Sequence, residues 1–460
     1  MTVASRTVEY GLFLLASLAS RPMQTLEQLQ TGQLAGTVRL KLSCGLTEFP
    51  REIFDLADTL EILDLSGNAL STLPDDLPRL KKLRIIFCSV NQFTVLPAVL
   101  GACPQLTMIG FKSNRIQTVP TAALPPGLRW LILTDNALVA LPPTIGQCTQ
   151  LQKLMLAGNQ LTALPTELAA CTRLELLRIS ANRLTTFPAW LLAMPRLAWL
   201  AYAGNPFSAA DEAAALAAAH PAVIKWNNLQ LRHKLGEGAS GVIHEALWQD
   251  AGGERAVAVK LFKGAMTSDG LPECELTACI SAGSHPNLIP VLGAVPDHPD
   301  AIHGCVMALI DPAYCNLAGP PSMDSCTRDI YADTKRFSPA ALLAIAHGIA
   351  SAAHHLHSHG ILHGDLYAHN ILHTEKGEAL LGDFGAASLM ANNGQHADGL
   401  QRLEVRAFGV LLGELLARCD SGKMQASLAQ LETACLQPNP AARPLFDDVV
   451  RQLVVLHAIQ

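Results

Sequence analysis

Leucines in the first half of this 460-residue chain recur in a fixed frame that is neither helical nor simply alternating. Leu60, Leu63 and Leu65, then Asn68, Leu70 and a Leu73-Pro74 step, define L-x-x-L-x-L-x-x-N-x-L. The frame returns with Asn91, Asn114, Asn136, Asn159, Asn182 and Asn205, at intervals of 23, 23, 22, 23, 23 and 23 residues. A shorter, imperfect copy runs from Val38 to Pro50, with Cys44 near the asparagine position. The alternating leucines predict one short strand per copy, which cannot bury its apolar face alone and must stack on the next. A buried asparagine can bond the backbone groups that the bend leaves unpaired. The Leu-Pro step is expected to close the strand side and start an extended return. About eight stacked strands follow, over residues 34–207, with residues 1–33 as an N-terminal extension and cap.

This frame resembles the leucine-rich repeat, which implies an α/β solenoid of horseshoe shape that recognises proteins and carries no catalytic group. Strand side chains alternate, so the third and fifth positions of the frame are predicted to face the concave side. That face reads as an apolar track, with Phe87, Trp130, Ile132 and Trp199 among its members. We expect it to hold a protein partner or substrate, anchored by Trp130 and Trp199, since buried aromatics often dominate interfaces. The competing expectation is that the track packs on the chain's own second half. Next comes the Ala-rich stretch Ala209–His220, with Asp211 and Glu212 where a helix N-terminus prefers acids. It is predicted to be a helical connector over residues 208–227.

The patterning changes after Trp226. A hairpin-like run holds Gly236, Gly238, Gly241 and Val242, and glycines so placed let backbone N–H groups approach phosphate oxygens. Val257-Ala258-Val259-Lys260 alternates as a strand ending in a cation. Glu273 and Glu275 follow, and Leu276 and Ile280 give Glu275 the better helical setting. Cys305–Ile310 reads as another strand. Pro312–Phe337 reads as loop plus a short helix, and Ser338-Pro339 starts a long helix over Ala340–His357. Three short apolar runs, Ile361-Leu362, Ile371-Leu372 and Ala379–Leu381, then bracket a polar loop with Asp365 and Asn370 and end in Gly382-Asp383-Phe384-Gly385. Two carboxylates and an amide aimed at one point suit a hard cation such as Mg²⁺ and a hydroxyl awaiting deprotonation.

G-x-G-x-x-G-x-V, V-A-V-K, H-G-D-L-x-x-x-N and D-F-G in this order resemble the protein kinases. The resemblance implies a bilobal α+β domain over residues 228–460 that uses ATP and Mg²⁺. It assigns the proton-accepting role to Asp365, Mg²⁺ to Asn370 and Asp383, and the ATP phosphates to Lys260, anchored by Glu275. Gly236, Gly238, Gly241, Val242 and Met307, at the gatekeeper position, would line the nucleotide site. The chain also departs from the pattern. Gly364 replaces the catalytic-loop arginine that pairs with an activation-loop phosphate in the family. The segment after Gly385 is short, lacks A-P-E, and reaches the helix around Glu404 within eighteen residues. Receptor and phosphate site are missing together, so activity should not require phosphorylation of that segment, whose one hydroxyl is Ser388. Tyr367 and His369 stand where Ser/Thr and Tyr kinases carry a Lys or an Arg, making His369 the candidate phosphate cation. Arg443, which pairs with the A-P-E glutamate in the family, needs another partner or a solvated role.

Composition narrows the setting. The formal charge of −6 disfavours a dedicated nucleic-acid binder. Residues 1–208 carry 17 Lys and Arg against 13 Asp and Glu, and residues 209–460 carry 16 against 26. Twelve scattered cysteines without a C-x-x-C pair suggest reduced thiols and a cytoplasmic protein. Gly11–Ser20 is an apolar run with a poor positive leader, read as a lead-in helix rather than a signal peptide, and no run suggests a membrane span. His354, His355, His357 and His359 lack accompanying carboxylates and read as a solvated helix end, not a metal site. The leading expectation is a protein kinase, Ser/Thr rather than Tyr. A small-molecule phosphotransferase of aminoglycoside-kinase type and a pseudokinase scaffold are the alternatives.

Overall fold

In a computed structural model the described residues are 24–219, 222–238, 240–250, 252–263, 266, 267, 269–391, 394–419 and 424–458. The expected lead-in helix at Gly11–Ser20 lies outside them. They form two compact units. One comprises the described residues up to Leu197 with Asn205–Phe207. The other comprises Ala198–Gly204 and the described part of Ser208–Gln460.

The first unit opens with a capped helical turn, α1 (Leu26–Gln30), where Thr25 and Gln28 bond each other's backbone N–H. The repeat strands follow in chain order in one sheet: β1 (Arg39–Lys41), β2 (Ile62–Asp64), β3 (Ile85–Phe87), β4 (Met108–Gly110), β5 (Trp130–Ile132), β6 (Lys153–Met155) and β7 (Leu176–Arg178). They pair in parallel and in register, as in Ile62 with Ile85 and Ile85 with Met108. The asparagines form the predicted ladder. Asn159 Oδ1 accepts from Leu138 N at 3.0 Å, while its Nδ2 donates to Leu133 O and Leu156 O at 2.9 Å each. Asn182 repeats the pattern one copy later. The Leu-Pro step differs from the expectation of a purely extended return. Pro142 and Pro165 have extended backbone, but each starts a 3₁₀ turn, and Pro97 likewise precedes one. The fixed φ of proline suits the residue that enters a helical turn.

The second unit takes β8 (Trp199–Ala201) and then α2 (Ala209–Ala219). Glu212 fixes the start of α2, accepting from Ser208 Oγ at 2.7 Å and Gly204 N at 2.8 Å. A five-stranded antiparallel sheet follows in the order β12 (Val291–Val295), β13 (Gly304–Ala308), β11 (Gly253–Phe262), β10 (Gly241–Asp250), β9 (Leu229–Glu237). Val257 and Val259 of β11 enter a core with Ile224, Val295 and Val306. Alternation therefore turns Lys260 to the opposite face. Helix α3 (Pro272–Ser281) packs beside β12.

The rest is helical around two small antiparallel sheets, of three and two strands. Ser338 caps α4 (Pro339–Ser358) by accepting from Ala341 N at 3.2 Å. Pro312–Phe337 holds no helix, against expectation; it has strand β14 (Cys315–Asn316) and turns. Hydroxyls there take the backbone donors that a helix would need, Ser322 Oγ accepting from Asp324 N and Ser325 N. Strand β15 (Ile361–Leu362) pairs with β18 (Ser388–Leu389), and β16 (Ile371–His373) pairs with β17 (Ala379–Leu381). Helices α5 (Ala397–Leu416), α6 (Gln425–Cys435) and α7 (Phe446–Ala458) complete the unit. No described helix is long and apolar enough to cross a membrane.

Candidate active site

Hairpin geometry brings the polar groups together. Asn370 immediately precedes β16 and Gly382-Asp383 immediately follow β17, so antiparallel pairing returns them to the same end; Gly382 N donates to Asn370 O at 3.0 Å. Asn370 Nδ2 donates to Asp365 O at 2.9 Å and Asp365 Oδ2 at 2.8 Å, which leaves its amide oxygen as an acceptor. His363 ties the two segments: its Nε2 donates to Gly382 O at 2.9 Å, and its Nδ1 accepts from Asp365 N at 3.3 Å. Asp383 sits in the left-handed region at φ 57, a conformation that short polar side chains tolerate better than most. Its side chain is 54% exposed, and Asp365 is half-buried, so both acids are open to solvent.

Lys260 reaches this cluster from β11. Its ammonium bonds Glu275 of α3 and lies 4.0 Å from Asp383 Oδ1. Glu273 is exposed and makes no such pair. Burial alone would pull the Lys260 ammonium down. The charges of Glu275 and Asp383, with the hydrogen bond to Glu275, outweigh it and hold the pKa above its ordinary value. Above Lys260, the β9–β10 turn closes with Gly238 N donating to Gly241 O at 2.9 Å. A Cβ at Gly241 would lie 2.6 Å from Leu261 O, so only glycine lets the turn come this close to β11. Gly236 pairs with Ile243, Val242 with Glu237, and Met307 of β13 with Ala258.

The loop that carries Asp365 is held at His363 and Gly364 by a buried carboxylate that no sequence motif marks. Glu404 of α5 is buried and accepts from Gly364 N at 2.6 Å, His363 N at 3.2 Å and His357 Nε2 at 2.7 Å. Burial pushes its carboxyl up, but the hydrogen bond and charge of His357 and the Gly364 N–H together bring it below the ordinary glutamate value. This corrects the reading of the α4 histidines as a solvated end: His357 is buried. Gly364 has φ +72, and a Cβ there would meet Ala386 O at 2.4 Å and Leu200 O at 2.8 Å.

His369 is also clamped. Asp329 accepts from His369 N at 3.0 Å and Nδ1 at 2.7 Å. Burial opposes the imidazolium, yet the hydrogen bond and charge of Asp329, with Asp365 and Asp383 beyond, raise its pKa above the usual value. Asp329 lies in the turn-rich stretch and no periodicity marks it. Arg443 is buried rather than solvated, its Nε donating to Gln437 O at 2.9 Å and Nη1 to Arg402 O at 3.0 Å.

The expected protein-anchoring aromatics fare differently. Trp199 is 1% exposed and its ring stacks on Tyr367 with centroids 4.1 Å apart, so it is not free to anchor another protein. The loop that carries Asp365 fills the space in front of its ring. Trp130 is 9% exposed with Lys153 Nζ 4.4 Å above its ring, and Phe87 and Ile132 are half-buried.

The comparisons agree with this architecture. Residues 229–408 match the family model described as protein tyrosine and serine/threonine kinase. Residues 126–184 and 59–80 match leucine-rich-repeat models. The chain is therefore a leucine-rich-repeat array followed by a protein-kinase domain. A probable serine/threonine-protein kinase of Dictyostelium discoideum is 24% identical over 272 residues, 50% of this chain and 16% of that protein. The tyrosine-protein kinase Abl of Drosophila melanogaster is 30% identical over 216 residues, 41% of this chain and 12% of that protein. A leucine-rich repeat and calponin homology domain-containing protein of Mus musculus is 33% identical over 108 residues, 23% of this chain and 15% of its own length. The chain thus spans no more than 16% of the length of any of these three.

Proposed function

We propose that this chain is an ATP-dependent protein kinase that transfers the γ-phosphate to a protein hydroxyl, Ser or Thr rather than Tyr. The observation that carries the reading is the formed Lys260–Glu275 pair with Asp383 4.0 Å from the same ammonium. The donor set suits the family's cofactors. The exposed carboxylate of Asp383 and the amide oxygen of Asn370 are hard oxygen ligands of the kind Mg²⁺ takes, and Lys260 is a fixed cation for phosphate oxygens. Mg²⁺ bound there would neutralise charge on the transferring phosphoryl group. Asp365, oriented by Asn370, accepts the proton of the acceptor hydroxyl. The repeats supply protein recognition through surfaces other than Trp199, with Trp130, Phe87 and Ile132 still the nearest candidates. A cytoplasmic setting fits the ATP requirement and the free cysteines.

Purified chain incubated with γ-labelled ATP, Mg²⁺ and a protein mixture should give labelled phosphoserine or phosphothreonine. Label only on tyrosine would overturn the acceptor assignment. Label confined to small molecules would favour the small-molecule phosphotransferase reading, and no transfer at all would favour the scaffold.

His369 gives this activity a pH signature. With Nδ1 committed to Asp329, Nε2 of the imidazolium is the donor available to a phosphate oxygen. The unperturbed pKa is about 6.5, and the folded value is raised. The stabilisation from the His369–Asp329 pair is fully present below about 6.5 and is lost as pH rises through the folded value. Turnover should hold until pH passes the raised folded value and decline above it, and His369→Arg should flatten that decline. An identical profile in the variant would remove His369 from this role.

A further inference from the structure

The segment Trp199–Tyr202 touches both parts of the active site that a phosphorylated activation segment would otherwise organise. On the catalytic loop, the Trp199 ring stacks on Tyr367 at 4.1 Å and 8°, and its Nε1 donates to Leu366 O at 3.1 Å. On the strand after Gly385, Tyr202 N donates to Ser388 Oγ at 2.9 Å, and Tyr202 OH donates to Leu389 O at 3.1 Å. All of these groups are buried. Between the two, Leu200 O lies where the side chain of residue 364 would begin.

We propose that Trp199 and Tyr202 are positioning residues for phosphoryl transfer, holding the catalytic loop and β18 in their working arrangement without a phosphate. The inference rests on the kinase reading and adds to it the source of order in the site. An arginine at position 364 and a phosphate on the following segment form one device for joining these elements. Here Gly364 has no room for any side chain, and Ser388, the segment's one hydroxyl, is buried against Tyr202 N. A neutral, permanently present clamp occupies the same place. It is a support and not a plug: Asp365 is half-buried and Asp383 exposed beside it, and Lys260 keeps Glu275. The connector strengthens it, since Asp211 of α2 accepts from Ala391 N at 3.1 Å just past β18.

The test uses the full chain with Trp199→Ala, Trp199→Phe and Tyr202→Phe, comparing steady-state kinetics and amide hydrogen exchange. Trp199→Ala should lower kcat by about tenfold or more with KM for ATP within about twofold, because the nucleotide groups are not displaced. Trp199→Phe, which restores the stack, should recover most of the loss. Amides of residues 363–370 and 386–390 should exchange faster in Trp199→Ala, and those of 386–390 faster in Tyr202→Phe, with β9–β11 unchanged. Wild-type kcat with unchanged loop protection in Trp199→Ala would overturn the proposal. A raised kcat would overturn it in favour of a blocking role. If Trp199→Ala does not fold, Trp199→Phe and Tyr202→Phe decide it by exchange and by kcat. If the wild-type chain transfers no phosphate, the kinase reading fails, while exchange still decides whether the segment orders the loop.

Discussion

Asp365→Asn is expected to lower phosphoryl transfer by about 10²–10⁴-fold, the span that general-base catalysis contributes. Asn370 Nδ2 bonds Asp365 Oδ2 at 2.8 Å, so the carboxylate presents a fixed lone pair to an incoming hydroxyl. The amide of the variant fills the same volume but cannot take a proton. Nucleotide binding should survive, because Lys260, Glu275 and Asp383 do not depend on that oxygen. The measurement is kcat beside nucleotide affinity in the same preparation. Loss of both would show that the substitution had disturbed the fold, and loss of neither would remove Asp365 from the chemistry.

Glu404→Ala should have the largest effect on stability. It removes one carboxylate from three buried donors, His363 N, Gly364 N and His357 Nε2. Breaking a buried pair from one side costs about 3–5 kcal/mol, more than a typical surface change can approach. The loss should appear as a lower denaturation midpoint together with loss of activity, since two of the donors belong to the catalytic loop. A pH dependence accompanies it. The folded carboxyl lies below its ordinary value, so its contribution is present above the unfolded glutamate value of about 4.3. It is lost as pH falls through the folded value. Glu404→Gln should remove that part of the acid sensitivity, which a stability titration of both proteins would show.

The array was legible because its signal repeats: seven asparagines at near-constant spacing admit few other folds, and the ladder of Asn159 and Asn182 is what that spacing requires. The kinase domain was legible in its short motifs, whose Lys260 and Asp383 the fold brings to 4.0 Å from each other. What escaped was long-range partnership. Ala350, Ala353 and His357 fall on one helical face of α4, a period that marks His357 as inward, but its polarity masked the signal. Asp329 sits among turns, where no period exists to be read. Trp199 lies against the loop that carries Asp365, because a strand pattern specifies alternation and not what fills the space in front of a side chain. The absent A-P-E and Gly364 were visible as losses. That Leu200 O lies 2.8 Å from where a Cβ at position 364 would begin, and that Tyr202 N bonds Ser388 Oγ, follows from long-range packing that no local pattern encodes.

On the proposed function, the site is assembled and active without phosphorylation. The most direct measurement is the initial rate of protein phosphorylation by the full chain prepared free of phosphate, followed from the moment MgATP is added. Transfer should be linear from the start and unchanged by prior incubation with ATP. A lag abolished by that incubation, or no transfer at any time, would contradict that expectation.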